Sequence, residues 1–150
     1  MKLIGLTGSI GMGKSTTAGM FRNAGVPVHD SDKVVRRLYT QEAVIPIGKI
    51  FPSVIQEGRI DRQMLASILL NDQSALGKVE RVIHPMVGQD RARFIDLCRR
   101  TGAKTAIIDI PLLFETGFES AVDVILTVTA SYAIQRERVI ARPGMTDEKL

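Results

Sequence analysis

Residues 1–17 read MKLIGLTGSIGMGKSTT, and within them Gly8, Gly13, Lys14 and Ser15 satisfy the spacing G-x-x-x-x-G-K-[ST]. Glycine in such quantity weakens helices and strands alike, so a local gain must offset it. The flanks supply the context: the short apolar run Lys2–Thr7 reads as a buried strand, and 15–24, closed by Gly25, reads as a helix. A glycine-rich turn between strand and helix frees backbone N–H groups to curl around an anionic phosphate at the helix N-terminus. Lys14 then reaches the β- and γ-phosphates of a nucleoside triphosphate, and the Ser15 hydroxyl meets its Mg²⁺. Gly8, Gly11, Met12, Gly13, Lys14, Ser15 and Thr16 form the candidate nucleotide-binding loop. The competing reading is a plain glycine-rich turn with an exposed lysine. Chance produces this spacing in roughly half a percent of chains of this length, and the strand–loop–helix context decides for the phosphate cradle. Its lysine is expected to face solvent.

The rest of the composition narrows the class. With 150 residues, 45% apolar and 24% charged, the chain reads as one domain, or part of one, long enough for a sizeable core. A formal charge of +4 is too mild, and the arginines too scattered, to imply a nucleic-acid partner. Cys98 is the sole cysteine, which excludes an internal disulfide and points to a reducing compartment. Neither a signal peptide nor an apolar run long enough for a membrane span is evident, so the chain reads as soluble and cytoplasmic.

Strand and helix patterns alternate along the chain. A second strand is expected at 26–28 and a helix at 33–39; 41–62, interrupted by Pro46, Pro52 and Gly58, reads as mostly loop with some helix. Helices follow from residue 61 or 62 to 70, at 72–83 and at 86–100. Apolar strands at 105–110 and 122–128 are separated by the loop PLLFETGFES. A charged helix spans 131–142 with Ser131 as N-cap, and Thr146 caps another that runs to Leu150. This alternation argues an α/β fold with a parallel sheet. The core would comprise 1–30 and 101–130, a helical insertion about 31–100, and the start of a helical lid about 131–150.

A phosphate cradle does not name the phosphate's acceptor. HDSD, residues 29–32, follows the second strand, where α/β proteins bind ligands. Asp32 there is either a base for an acceptor hydroxyl or simply the N-cap of the next helix, and spacing alone does not choose. Asp109 ends the apolar strand IIDI, where a carboxylate is costly unless partnered, and this favours a role beside Mg²⁺. Arg138 and Arg142 lie four apart on one helix face; they are either lid arginines for a phosphoryl group or a solvated charged face. His84-Pro85 reads as a helix break, and Cys98 as a structural residue.

Taken in order, GLTGSIGMGKST, HDSDKVVR, ERVIHP, IIDIPLLFE and QRERVIARPGMT resemble the successive motifs of the dephospho-CoA kinases, P-loop kinases that complete coenzyme A synthesis. The resemblance implies the three-layer P-loop NTPase fold, with the insertion as the CoA-binding region. It implies transfer of the ATP γ-phosphate, with Mg²⁺, to the ribose 3′-hydroxyl of dephospho-CoA. On the same ground Asp32 becomes the base, Lys14 and Arg138 act at the phosphates, and Arg142 is a second lid contact. Arg36, His84, Pro85, Leu113, Phe114 and Glu115 fall on the acceptor side, and Ser15 and Asp109 on the metal side. ATP and dephospho-CoA are the expected partners, with no nucleic acid, no membrane, and a monomer or weak homo-oligomer.

Several positions depart from the family pattern: Ser9, Met12, Ser31 between the acids, and Pro143 after Arg142. Family members continue past the point matching Leu150, so the sequence reads as truncated. Two rival functions stand beside this one. Another small-molecule P-loop kinase would share the loop but has no need of the His-Pro and PLLFE segments. A nucleotide-switch module of the GTPase kind would carry an N-K-x-D guanine-reading segment, which these 150 residues lack.

Overall fold

A computed structural model of the chain describes residues 1–111 and 113–146. In chain order the elements are β1 (Lys2–Thr7), α1 (Lys14–Asn23), β2 (Val28–Asp30), α2 (Ser31–Leu38), α3 (Val44–Ile50), β3 (Ile55–Gln56) and β4 (Arg59–Ile60). They continue with α4 (Arg62–Asn71), α5 (Gln73–Arg100), β5 (Thr105–Asp109), β6 (Val124–Thr127) and α6 (Tyr132–Ile140). The chain divides into two compact units, one of Met1–Asp30 with Ile95–Leu150 and one of Ser31–Phe94. Among the described residues no helix is long and apolar enough to cross a membrane.

The first unit is built on a parallel sheet in the order β2-β5-β1-β6. Consecutive residues of β5 are fully buried, Ile107 and Ile108 among them, so this strand is covered on both faces, whereas the edge strand β6 is largely exposed. That coverage is the reason β5 reads as an unbroken apolar run rather than as an alternating one. Leu6, Ala18 and Ile107 form the core on the face that receives α1. Gly5 has a packing reason: a Cβ there would stand 2.5 Å from Leu113 Cδ1. Asp123 sets the start of β6 on β1, accepting from Leu3 N at 2.7 Å while its own N–H donates to Leu3 O at 2.8 Å. The register pairs Leu6 and Asp30 with Asp109, and Thr7 with Thr127, so these residues share the carboxyl edge of the sheet.

The second unit packs α2, α3, α4 and the first part of α5 around Leu38, Ile47, Val54, Ile60, Leu65, Val79 and Ile83. Here the segment 41–62, expected to be mostly loop with some helix, holds the helix α3 and, beyond that expectation, the hairpin β3–β4. Pro46 does not prevent α3, because it falls in the first turn, where a missing N–H costs no intrahelical bond. The hairpin β3–β4 turns on Glu57 and Gly58, both left-handed at φ 48° and 73°, as a two-residue turn of this twist requires. Asp61 caps α4, accepting from Gln63 N and Met64 N, each at 2.9 Å.

Other boundaries also differ from expectation. The second strand lies at Val28–Asp30 rather than 26–28, since Pro27 has no N–H to give the ladder. The next helix begins at Ser31, so Asp32 sits inside its first turn and is not its N-cap. The expected break at His84-Pro85 is absent: α5 runs unbroken from Gln73 to Arg100 with Pro85 inside it. Val79, Val82, Ile83, Met86 and Val87 keep facing the same core across the proline, and that packing offsets the lost hydrogen bond. Ser131 stands at the N-cap of α6 but makes no side-chain cap bond. The helix expected after Thr146 lies outside the described residues.

Candidate active site

The loop between β1 and α1 passes through left-handed backbone at Gly11 (φ 79°) and Gly13 (φ 100°). Gly13 occupies the N-cap position of α1, and no side chain caps that helix. The amides at its N-terminus therefore remain available to an anion, reinforced by the helix dipole. Gly11 is needed for a second reason: a Cβ there would lie 2.7 Å from Val139 Cγ2 and 3.0 Å from Gln135 O, both on α6. The loop is tied internally by Met12 N donating to Ser9 O at 3.2 Å. Ser15 and Thr16, in the first turn of α1, are exposed.

Lys14 does not face solvent. Its ammonium forms a short ion pair with Asp109, the last residue of β5, and the two side chains are only 14% and 5% exposed. The sheet order explains the pairing, because β5 lies directly beside β1 and brings Asp109 level with the loop that follows β1. A compact ammonium beside a buried carboxylate at the mouth of a phosphate loop can bind phosphate oxygens and hold the carboxylate ready for a cation. Nearby, Arg22 of α1 donates to Asp30 at the end of β2, at 3.3 Å.

The segment from β6 into α6 closes on the same loop. Arg138 is exposed, and its Nη1 donates to Gly11 O at 3.2 Å, which brings the guanidinium against the loop. Gln135 Nε2 donates to Ile10 O at 2.9 Å, a contact that the sequence reading did not single out. Its available signal was position: Gln135 precedes Arg138 by three residues, one turn back on the same face of α6. Arg142, just past the end of α6, is exposed.

A cleft of about 180 Å³ opens at the carboxyl edge of the sheet, lined by Thr7, Gly8, Met12, Phe114, Glu115 and Thr129 among others. Phe114 and Glu115 thus share a surface with the start of the phosphate loop. Leu113, expected on the acceptor side, is fully buried against Gly5, a place in the core rather than on an open wall. Asp32 and Arg36 lie one turn apart on α2 and are exposed, as are His84 and Pro85 on α5; all four belong to the second unit. Cys98 is 3% exposed, and burial pushes its thiol pKa up, which disfavours the nucleophilic thiolate.

The family model for dephospho-CoA kinase matches residues 2–150. A dephospho-CoA kinase of Mesorhizobium japonicum is 51% identical over 150 residues, which is 100% of this chain and 76% of the relative. One from Rhizobium meliloti is 51% identical over 149 residues, 99% of this chain and 77% of its own. The chain therefore spans about three quarters of the length of these relatives. A crystal structure of a Thermus thermophilus protein matches with a TM-score of 0.83 at 36% identity, over 99% of this chain and 75% of that one. The dephospho-CoA kinase from Campylobacter jejuni matches at TM-score 0.68 and 20% identity, over 92% and 94% of the two chains, a likeness of fold alone. Phosphate loop, parallel sheet and sequence agree, and the chain belongs to the dephospho-CoA kinase family.

Proposed function

We propose that this protein transfers the γ-phosphoryl group of ATP to the ribose 3′-hydroxyl of dephospho-CoA, giving coenzyme A and ADP in the cytoplasm. The observation that carries the reading is the pairing of Lys14 with buried Asp109 at the open N-terminus of α1. The amides of Gly11 to Lys14 cradle the phosphates, and Lys14 turns from Asp109 toward the β- and γ-oxygens as they arrive. Arg138, already at the loop, supplies positive charge where it develops during transfer, and Arg142 is its second contact on the lid.

Ser15 and Asp109 offer a hydroxyl and a carboxylate. Oxygen donors few in number suit Mg²⁺, which keeps water and phosphate oxygens for most of its shell. When bound, that ion neutralises phosphate charge; the remaining steps belong to the chain's own residues. Asp32 accepts the 3′-hydroxyl proton as the ribose oxygen attacks phosphorus, while Arg36, His84, Pro85, Phe114 and Glu115 hold the acceptor. Asp32 is exposed in the first turn of α2, which leaves its carboxylate open to an incoming hydroxyl.

The test is ADP formation with Mg·ATP and, in turn, dephospho-CoA, nucleosides and sugar acids. The proposal expects turnover only with dephospho-CoA. Equal turnover of a nucleoside or sugar acid, or slow ATP hydrolysis indifferent to every acceptor, would overturn it in favour of another kinase or a switch.

A further inference from the structure

The β6–α6 segment meets the phosphate loop through consecutive residues of that loop. Gln135 Nε2 donates to Ile10 O at 2.9 Å, and Arg138 Nη1 donates to Gly11 O at 3.2 Å. Ala130 N donates to Met12 Sδ at 3.1 Å. Between them Gly11 fits against Val139 and the Gln135 carbonyl so closely that no Cβ could be added. Each loop residue from Ile10 to Met12 is thus held by a group 118 to 127 positions later in the chain. Arg138 has a task at the phosphates and must be able to leave its carbonyl; Gln135 has no charge to offer a phosphate. Its amide is matched to one thing, a backbone carbonyl whose orientation fixes the next peptide of the cradle.

We infer that Gln135 is a positioning residue for the nucleotide: it holds the Ile10 carbonyl outward on α6, so that the following amides of the loop face the β-phosphate. The inference rests on the ATP-dependent reading above and deepens it. Ile10 is 43% exposed, so the packing of its own side chain does not fix the direction of its carbonyl, and Gln135 supplies the hydrogen bond that does. A rotated peptide places a carbonyl, rather than an N–H, toward the anion. Dephospho-CoA binding has no such dependence, and neither does the chemical step once ATP is seated. The expected signature is therefore selective.

The variants are Gln135→Met, which keeps the length and loses the donor, and Gln135→Glu, which sets an acceptor against the carbonyl. Each is measured for binding of a non-hydrolysable ATP analogue with Mg²⁺ by calorimetry, without acceptor, and then in steady-state turnover. For Gln135→Met the loss of one hydrogen bond raises the analogue Kd and the KM for ATP about 5- to 10-fold. Gln135→Glu raises them further. For both, kcat and the KM for dephospho-CoA stay within about twofold of wild type, a split that marks uniform loss of nucleotide binding. Nucleotide affinity within about twofold of wild type in both variants overturns the inference. So does a fall in kcat at unchanged KM. A loss that tracks lowered melting temperature, or failure of both variants to fold, also overturns it, by making Gln135 a structural residue. If wild-type protein binds the analogue but phosphorylates no acceptor, the kinase reading fails while the binding arm still tests Gln135.

Discussion

Replacing Lys14 by Met removes the ammonium from the loop while keeping the length of the side chain, and its effect extends beyond the phosphates. The carboxylate that Lys14 faces is only 5% exposed, and Lys14 itself 14%. Breaking a buried ion pair by removing one partner costs about 3–5 kcal/mol, because the other charge stays behind in a poor solvent. Lys14 reaches some water, which lowers the expected cost here to about 2–4 kcal/mol. For a chain of this size that is a fall in Tm of roughly 5–15 °C. Lys14→Met/Asp109→Asn removes the stranded charge as well, and is expected to melt above the single variant while remaining inactive. Differential scanning calorimetry of the three proteins decides. A single variant melting within about 2 °C of wild type, or a double variant melting below the single, would refute the view that this pair supports the fold as well as the chemistry.

Asp32→Asn is expected to lower kcat about 10²- to 10⁴-fold with ATP affinity unchanged. Its stability cost is no more than about 1 kcal/mol, because Asp32 is exposed in the first turn of α2 and loses only a dipole interaction. More than about a tenth of wild-type turnover in that variant would remove Asp32 as the base and turn attention to Asp30. Gly11→Ala places a Cβ 2.7 Å from Val139 at a φ of 79°, so ATP affinity should collapse and stability fall by about 2–4 kcal/mol; a melting curve like wild type would contradict the close packing on α6. Burial raises the pKa of both Cys98 and Tyr39 from their ordinary 9.0 and 10.0. Below about pH 8 both are protonated folded or unfolded, whereas above it the unfolded chain loses protons that the folded one keeps, so stability should fall as pH rises. Urea midpoints flat from pH 8 to 11 would contradict that.

The fold was largely legible because its strongest signals are local. The β1 run, the G-x-x-x-x-G-K-S loop and the apolar run of β5 each state their structure within a few residues, and the parallel α/β sheet follows from their alternation. What misled was punctuation. Pro85 looked like a helix end, yet a proline costs one hydrogen bond of a 28-residue helix whose apolar face continues past it. Asp32 looked like a cap because the helix was started two residues late; Ser31 already belongs to it.

The candidate site was legible where motifs are contiguous and hidden where it is assembled by topology. Lys14 and Asp109 are 95 positions apart, and only the adjacency of β1 and β5 brings them together. Nothing in the spacing of GKS shows that its lysine will be mostly buried. Leu113 is fully buried and its neighbour Phe114 exposed, a distinction set by the contact with Gly5 and invisible in PLLFE. Gln135 carried no charge to draw notice, and its partner is a backbone carbonyl 125 positions away.

The most direct measurement is mass spectrometry of the products formed from Mg·ATP and dephospho-CoA, with fragmentation locating the added phosphate. The account predicts coenzyme A, carrying one new phosphoryl group on the ribose 3′-oxygen, in step with ADP. Dephospho-CoA recovered unchanged beside ADP and free phosphate, or phosphorylated at any other hydroxyl, would contradict it.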